Sequence, residues 1–264
     1  MRYGAMNFPV NPVLSEIATL AGMGFDYLEL ALDPPQAHYS QILSRKNEIM
    51  QALSDHAMGL VCHLPTFVFT ADLTDSIRQA SLDEMLQSLE TAQVLQAEKV
   101  VVHPSIISGL GSFVVDQVRQ YATASLQAII RKAADLGITL CLENMFPGYG
   151  SFFEASHFTS LLAGHPALKI TLDIGHANIN NSRGQRYLEF IQTHGDRIGH
   201  VHLSDNRGSR DDHLPIGEGT INWRKVAQAL RSCGYDDTVT LEVFSENRSK
   251  LHKSLLKVKA LFKK

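Results

Sequence analysis

Residues 134–143 read ADLGITLCLE, and the fold turns on how those ten positions are parsed. The run up to Leu136 continues a helical apolar spacing. Gly137 can then supply a C-terminal cap, because glycine enters the left-handed region without steric cost. Ile138–Leu142 is apolar and β-prone, and it stops at a carboxylate, Glu143. Helix, glycine, strand, acid is the phrase to look for elsewhere.

It recurs in AGMGFDYLEL (21–30) and SCGYDDTVTLEV (232–243). Eight strand candidates follow along the chain: RYGAM (2–6), YLELAL (27–32), GLVCH (59–63), KVVVH (99–103), ITLCLE (138–143), KITLD (169–173), GHVHL (199–203) and VTLEV (239–243). Amphipathic segments lie between them, with Leu82, Met85, Leu86, Leu89 and Ala92 on one face, and Val226, Ala229 and Leu230 on another. Eight βα units without a linker predict a single (β/α)8 barrel over residues 1–264, with a doubly wound open sheet as the lesser alternative. The length agrees, since such barrels need about 250 residues.

Twenty-four Lys and Arg against 27 Asp and Glu leave a net charge of −3, so no global field draws the chain to nucleic acid or an anionic membrane. The start MRYGAMNFPV lacks the features of a signal peptide, and no apolar run approaches the ~20 residues of a membrane span. A cytoplasmic location is expected. Cys62, Cys141 and Cys233, without a C-x-x-C pair, fit reduced thiols.

The strand ends carry the chemistry. His63, His103, Glu143 and Asp173 close strands three to six, and His202 and Glu242 lie near the ends of strands seven and eight, at spacings of 40, 40, 30, 29 and 40 residues. In a barrel that period stacks them around the C-terminal rim, where active sites of this fold lie. A lone histidine is usually a satisfied core residue, and a lone acid after a strand, such as Asp173 or Asp205, is usually a helix N-cap. Six successive strand ends are a different matter, because unpaired buried carboxylates and imidazoles are costly without a cation.

Loop residues His176, Asp211, His213 and Arg207 join the rim. Imidazole with carboxylate and no thiolate suits Zn²⁺, Mn²⁺, Fe²⁺ or Co²⁺. Nine N and O donors exceed one ion, and about four to six ligands per ion imply two or three. His38, His56, His157, His165, His194 and His252 are read as ordinary packing or surface residues, and His200 is set aside as facing away from His202.

The motifs CHLP, VVHP, LEN, LDIGHAN, HVHLSDN, DDHLPIGEGTINW and TLEV resemble the xylose isomerase-like TIM-barrel superfamily over essentially the whole chain. That superfamily holds sugar and sugar-phosphate isomerases and epimerases, and also endonuclease IV. The epimerase branch implies one divalent metal, zinc or manganese, on Glu143, Asp173, His202 and Glu242. Glu143 and Glu242 would move a proton beside a ketose carbonyl through an enediolate. His176, Arg207 and Glu29 would then touch a small sugar or sugar phosphate, with Arg207 one residue short of the family spacing.

The endonuclease branch implies three zinc ions and abasic-site DNA as the substrate. His63 and His103 share the first ion with Glu143; Asp173, His202 and Glu242 hold the second; His176, Asp211 and His213 hold the third. Cofactor expectation is therefore one to three divalent ions per chain. The isomerase-type opening NFPVNPVLSEIATLAGMGFDYLELAL and a loop of only nine positions from His202 to Asp211 favour the epimerase branch. The resemblance to that branch also implies a homo-oligomer, and without an apolar run of membrane-spanning length no membrane partner is expected.

Smaller features complete the reading. GLGSF (109–113) and PGYGS (147–151) are expected to be turns, and Phe67, Phe69, Phe146, Tyr149, Phe152 and Phe153 are expected near the mouth, mainly as packing. The tail KSLLKVKALFKK reads as an amphipathic helix with a solvated basic face.

Overall fold

The computed structural model describes residues 1–181, 184–245 and 247–263. Eight parallel strands close into a barrel in sequence order, with β8 returning to pair with β1. They are β1 (Arg2–Met6), β2 (Tyr27–Ala31), β3 (Gly59–His63), β4 (Val100–Val102), β5 (Leu140–Glu143), β6 (Lys169–Asp173), β7 (Ile198–Leu203) and β8 (Thr238–Leu241). The opening phrase is realised as expected: α5 (Val115–Asp135) ends, Gly137 takes φ +69°, and β5 begins three residues later.

Alternation along each strand divides the interior in two. Leu28, Leu30, Leu60, Cys62, Leu140, Leu142, Ile170, Leu172, Val201 and Leu203 face outward into one continuous core with the helices. Tyr27, Val61 and Val101 form a separate cluster, enclosed by the barrel. Each rim ligand follows an inward position by two residues, as His63 follows Val61 and Glu143 follows Cys141.

The helices carry the predicted stripes: α4 (Asp75–Val94) buries Met85, Leu89 and Ala92, and α9 (Trp223–Ser232) buries Val226 and Leu230. The unit after β2 holds two helices, α2 (Tyr39–Ser44) and α3 (Lys46–Asp55). The unit after β6 holds a short α7 (Ile174–Asn178) before α8 (Gln185–His194). The basic tail forms α10 (Arg248–Phe262), with Leu251, Leu255 and Val258 inward; its last residue, Lys264, lies outside the described residues. Among the described residues no helix is long and apolar enough to cross a membrane.

Candidate metal centre

Asp173 begins the site because it does two things at once. Its Oδ1 accepts from the backbone N–H of His176 at 2.6 Å, capping α7, while its Oδ2 is buried with no hydrogen-bond partner. The cap reading and the ligand reading of LDIGHAN are therefore both realised, one on each oxygen. Gly175 is required here: a Cβ would lie 2.5 Å from Ser204 Oγ and 3.2 Å from Asp173 Oδ1. Asn144, next to Glu143, fixes the backbone from the other side, accepting from the Asp173 N–H at 2.8 Å and donating to its carbonyl at 3.0 Å.

Around Asp173 the strand-end groups converge. Glu143 Oε2 lies 3.5 Å from His63 Nε2, 3.2 Å from His103 Nε2 and 3.3 Å from His202 Nδ1, and His202 Nδ1 is 3.2 Å from Glu242 Oε1. Two groups, His63–His103–Glu143 and Glu143–Asp173–His202, each bring three donor atoms within 4.8 Å of one another. On the loop side, Asp211 Oδ2 sits 3.2 Å from His176 Nε2 and 2.8 Å from His213 Nε2. All nine candidate ligands are gathered at one mouth.

The backbone decides which imidazole nitrogens are free. A carbonyl can only accept, so His63 Nδ1–H donates to Leu64 O (2.7 Å), His176 Nδ1–H to Asn144 O (3.0 Å) and His213 Nδ1–H to Glu242 O (3.1 Å). In each neutral ring Nε2 then carries the lone pair and points into the cluster. This is how metal-binding imidazoles are usually oriented. His63 Nε2, His202 Nδ1, both Glu143 oxygens, Asp173 Oδ2 and Asp211 Oδ1 are buried without a partner in hydrogen-bond geometry. Each such atom costs about 1–3 kcal/mol, so a shared cation fits the donor set better than protein contacts do.

Protonation in the absence of metal shows the same tension. Burial pushes the Asp173 carboxyl up to about 7, helped by the charges of Glu143 and Glu242. Burial opposes a charged His63 or His213, yet Glu143 raises the first to about 8 and Asp211 raises the second to about 9. Asp211 is itself held below the usual carboxylate range: burial works against its charge, and the imidazoles of His176 and His213 outweigh it. His103 is lowered, chiefly by burial.

Two expected substrate contacts lie elsewhere. Glu29 does not reach the mouth: it is fully buried beneath the rim, its Oε2 2.9 Å from His200 Nε2 and its Oε1 3.0 Å from His202 Nε2. Setting His200 aside was wrong for the same reason. Residues two apart on a strand share a face, so His200 is inward like His202, one layer deeper. Arg207 is exposed and lines a polar cavity of about 870 Å³ with Asn178, Tyr187, Thr220 and Lys225, and none of the nine ligands lines it. Loop direction cannot be read from spacing alone.

Asp205 is not a helix cap. It staples the loop after β7, accepting from Gly217 N (2.8 Å), Trp223 Nε1 (2.9 Å), Asn206 N (3.0 Å) and Ile221 N (3.3 Å). That loop carries Asp211 and His213. Of the aromatic residues, Phe146 lies 5.3 Å from His176 and Tyr149 6.1 Å from His103, whereas Phe152 packs on Phe158 and Phe153 on His157. Phe244, which the sequence reading missed, stands 4.9 Å from His213. Cys62 and Cys141 are buried, and burial pushes both thiols up, Cys141 to about 12, so neither is a nucleophile.

Comparison with known proteins agrees with the barrel fold. A family model for the xylose isomerase-like TIM barrel matches residues 17–262. The chain belongs to that family. An uncharacterized protein of Methanocaldococcus jannaschii is 32% identical over 252 residues, covering 92% of this chain and 83% of its own. D-psicose 3-epimerase of Enterocloster bolteae is 30% identical over 130 residues, 48% of this chain and 40% of that enzyme. A crystal structure of a D-tagatose 3-epimerase-like protein superposes with a TM-score of 0.87 at 29% identity, covering 99% of this chain and 97% of the other. The relatives whose names state an activity are sugar epimerases.

Proposed function

We propose that this chain, as one domain over residues 1–264, is a divalent-metal-dependent epimerase or isomerase of a small ketose sugar. The observation that carries the reading is the convergence of two carboxylates, Glu143 and Glu242, on His202 Nδ1 at 3.3 and 3.2 Å, from strands three places apart around the barrel. Glu143, Asp173, His202 and Glu242 would hold the ion, which when bound supplies a Lewis acid for the substrate's oxygens. One glutamate takes the proton from the carbon beside the carbonyl and the other returns it on the opposite face. His176 turns Nε2 toward the same mouth, in reach of a sugar hydroxyl, and Phe146 and Tyr149 offer apolar walls.

A second reading is favoured by one specific observation. His63 with His103, and His176 with Asp211 and His213, complete two further ligand sets, and several ions suit phosphodiester hydrolysis. One experiment separates the two. Metal-loaded protein in D₂O should exchange the proton next to a ketose carbonyl, with Glu143→Gln slowing it by about 10²–10⁴. No exchange across a broad ketose panel, together with chelator-sensitive incision of abasic-site DNA, would establish the hydrolase instead.

A further inference from the structure

Beneath the rim the barrel holds a polar ladder that the chemistry above does not use directly. Thr238 Oγ1 is 2.7 Å from His200 Nδ1, His200 Nε2 is 2.9 Å from Glu29 Oε2, and Glu29 Oε1 is 3.0 Å from His202 Nε2. Thr238, His200, Glu29 and His202 are all fully buried. A charge placed so deep is costly unless it performs a task that a neutral residue cannot.

We propose that Glu29 is a positioning residue: it locks His202 in the Nε2–H tautomer, so that Nδ1 presents its lone pair to the metal. The proposal rests on the divalent-metal reading of the rim and is indifferent to which reaction follows. A carboxylate only accepts, so it takes an N–H from both imidazoles at once. In the neutral ring, His202 Nδ1 is then left without a proton, 3.2 Å from Glu242 Oε1, 3.3 Å from Glu143 Oε2 and 3.8 Å from Asp173 Oδ2, and it has no hydrogen-bond partner of its own. That is a ligand atom aimed at carboxylate oxygens, an arrangement that a cation resolves.

The lower half of the ladder fixes Glu29 in turn. His200 gives its one proton to Glu29, and Thr238, a hydroxyl, can donate to the nitrogen left over. Every polar atom of the ladder beneath His202 Nδ1 is satisfied without a second charge. Glutamine would fit the same space, but its amide accepts on one side and donates on the other. One of its two orientations gives His202 the wrong tautomer; the other reverses His200, which the Thr238 hydroxyl tolerates.

The test combines the tautomer with metal affinity. In metal-free protein carrying ¹⁵N-labelled histidine, at a pH high enough to leave His202 neutral, long-range ¹H–¹⁵N spectra should show it as Nε2–H. Glu29→Leu, which removes the acceptor, should lose that signature and bind Mn²⁺ about 10–100-fold more weakly by calorimetry. Glu29→Gln should lose less, since its oxygen can still serve His202. A residue that merely fills space would lower Tm in Glu29→Leu and leave the tautomer and the affinity alone. A neutral His202 that carries its proton on Nδ1 in the wild-type protein overturns the proposal even if the variant fails to fold, as does a folded Glu29→Leu that binds Mn²⁺ within twofold of wild type. Wild-type protein that binds neither Mn²⁺ nor Zn²⁺ removes instead the metal reading beneath it.

Discussion

The strand-end ligands and the loop-borne ligands share one mouth but are held there by different means. Glu143, Asp173 and His202 are fully buried, and the parallel ladder sets their backbone, with Asp173 paired directly to His202 across β6 and β7. Asp211 and His213 have side chains 18% and 24% exposed, and His213 sits at φ +45°, a conformation that costs a non-glycine residue about 1 kcal/mol or more. Their loop is fixed chiefly by Asp205, a single buried carboxylate. Precision at the centre is thus a property of the barrel's register, and precision at the edge depends on a few hydrogen bonds that a mutation can remove.

The largest expected break in that contrast is at Asp173. Asp173→Asn keeps an oxygen to cap α7 but loses the charge at Oδ2, so metal content and activity should fall by more than the about 10–100-fold that outer partners command. Asp173→Ala should lose the cap as well, a further ~1 kcal/mol of stability measured in chelator. Equal Tm for Asp173→Asn and Asp173→Ala in chelator would show that the cap contributes nothing. Metal analysis of Asp173→Asn that matches wild type would remove the deep site.

Asp211→Asn probes the other side with a smaller effect. Its charge joins His176 and His213, so the variant should lose an ion beyond the first, or raise KM by about tenfold if only one ion binds. The deep ion should be unchanged by calorimetry. Loss of every ion would show that the edge supports the centre, against the contrast drawn above.

The same contrast explains what could be read from sequence. Six strand ends recur at intervals of one βα unit, and a barrel turns that period into a ring; His103 and Glu242 fall one residue beyond β4 and β8 without leaving it. The deeper layer obeys the same alternation, so Glu29 and His200 were equally legible, and His200 was misplaced only by a miscounted period. Arg207 and Asp205 belong to a loop, where no period constrains direction. Asp211 and His213 stood out there by residue type, and the resemblance of DDHLPIGEGTINW to a known motif gave them a role. Asn144 and Phe244 had only their adjacency to ligands to mark them.

The smallest effect separates metal-free from metal-bound protein by pH. Asp173, His63 and His213 have folded pKa values of about 7, 8 and 9, above their ordinary values of 3.8, 6.5 and 6.5. A group raised on folding contributes stability below its unfolded pKa and loses that contribution as pH rises through the folded value. Asp173 has therefore given up its share by about pH 7, and the two imidazoles give up theirs between about pH 6.5 and 9. His103 and His200 are lowered, so they act below this window and do not offset the loss. Tm in chelator should fall from pH 6.5 to 9, by about 2–4 °C for each kcal/mol lost. With saturating Mn²⁺ the trend should reverse, because the ion replaces the protons that otherwise keep these charges apart and binds more tightly as they leave. Parallel pH profiles with and without metal would mean that the convergent carboxylates and imidazoles are stabilised by one another alone, and the cluster would then be a buried polar network rather than a metal centre.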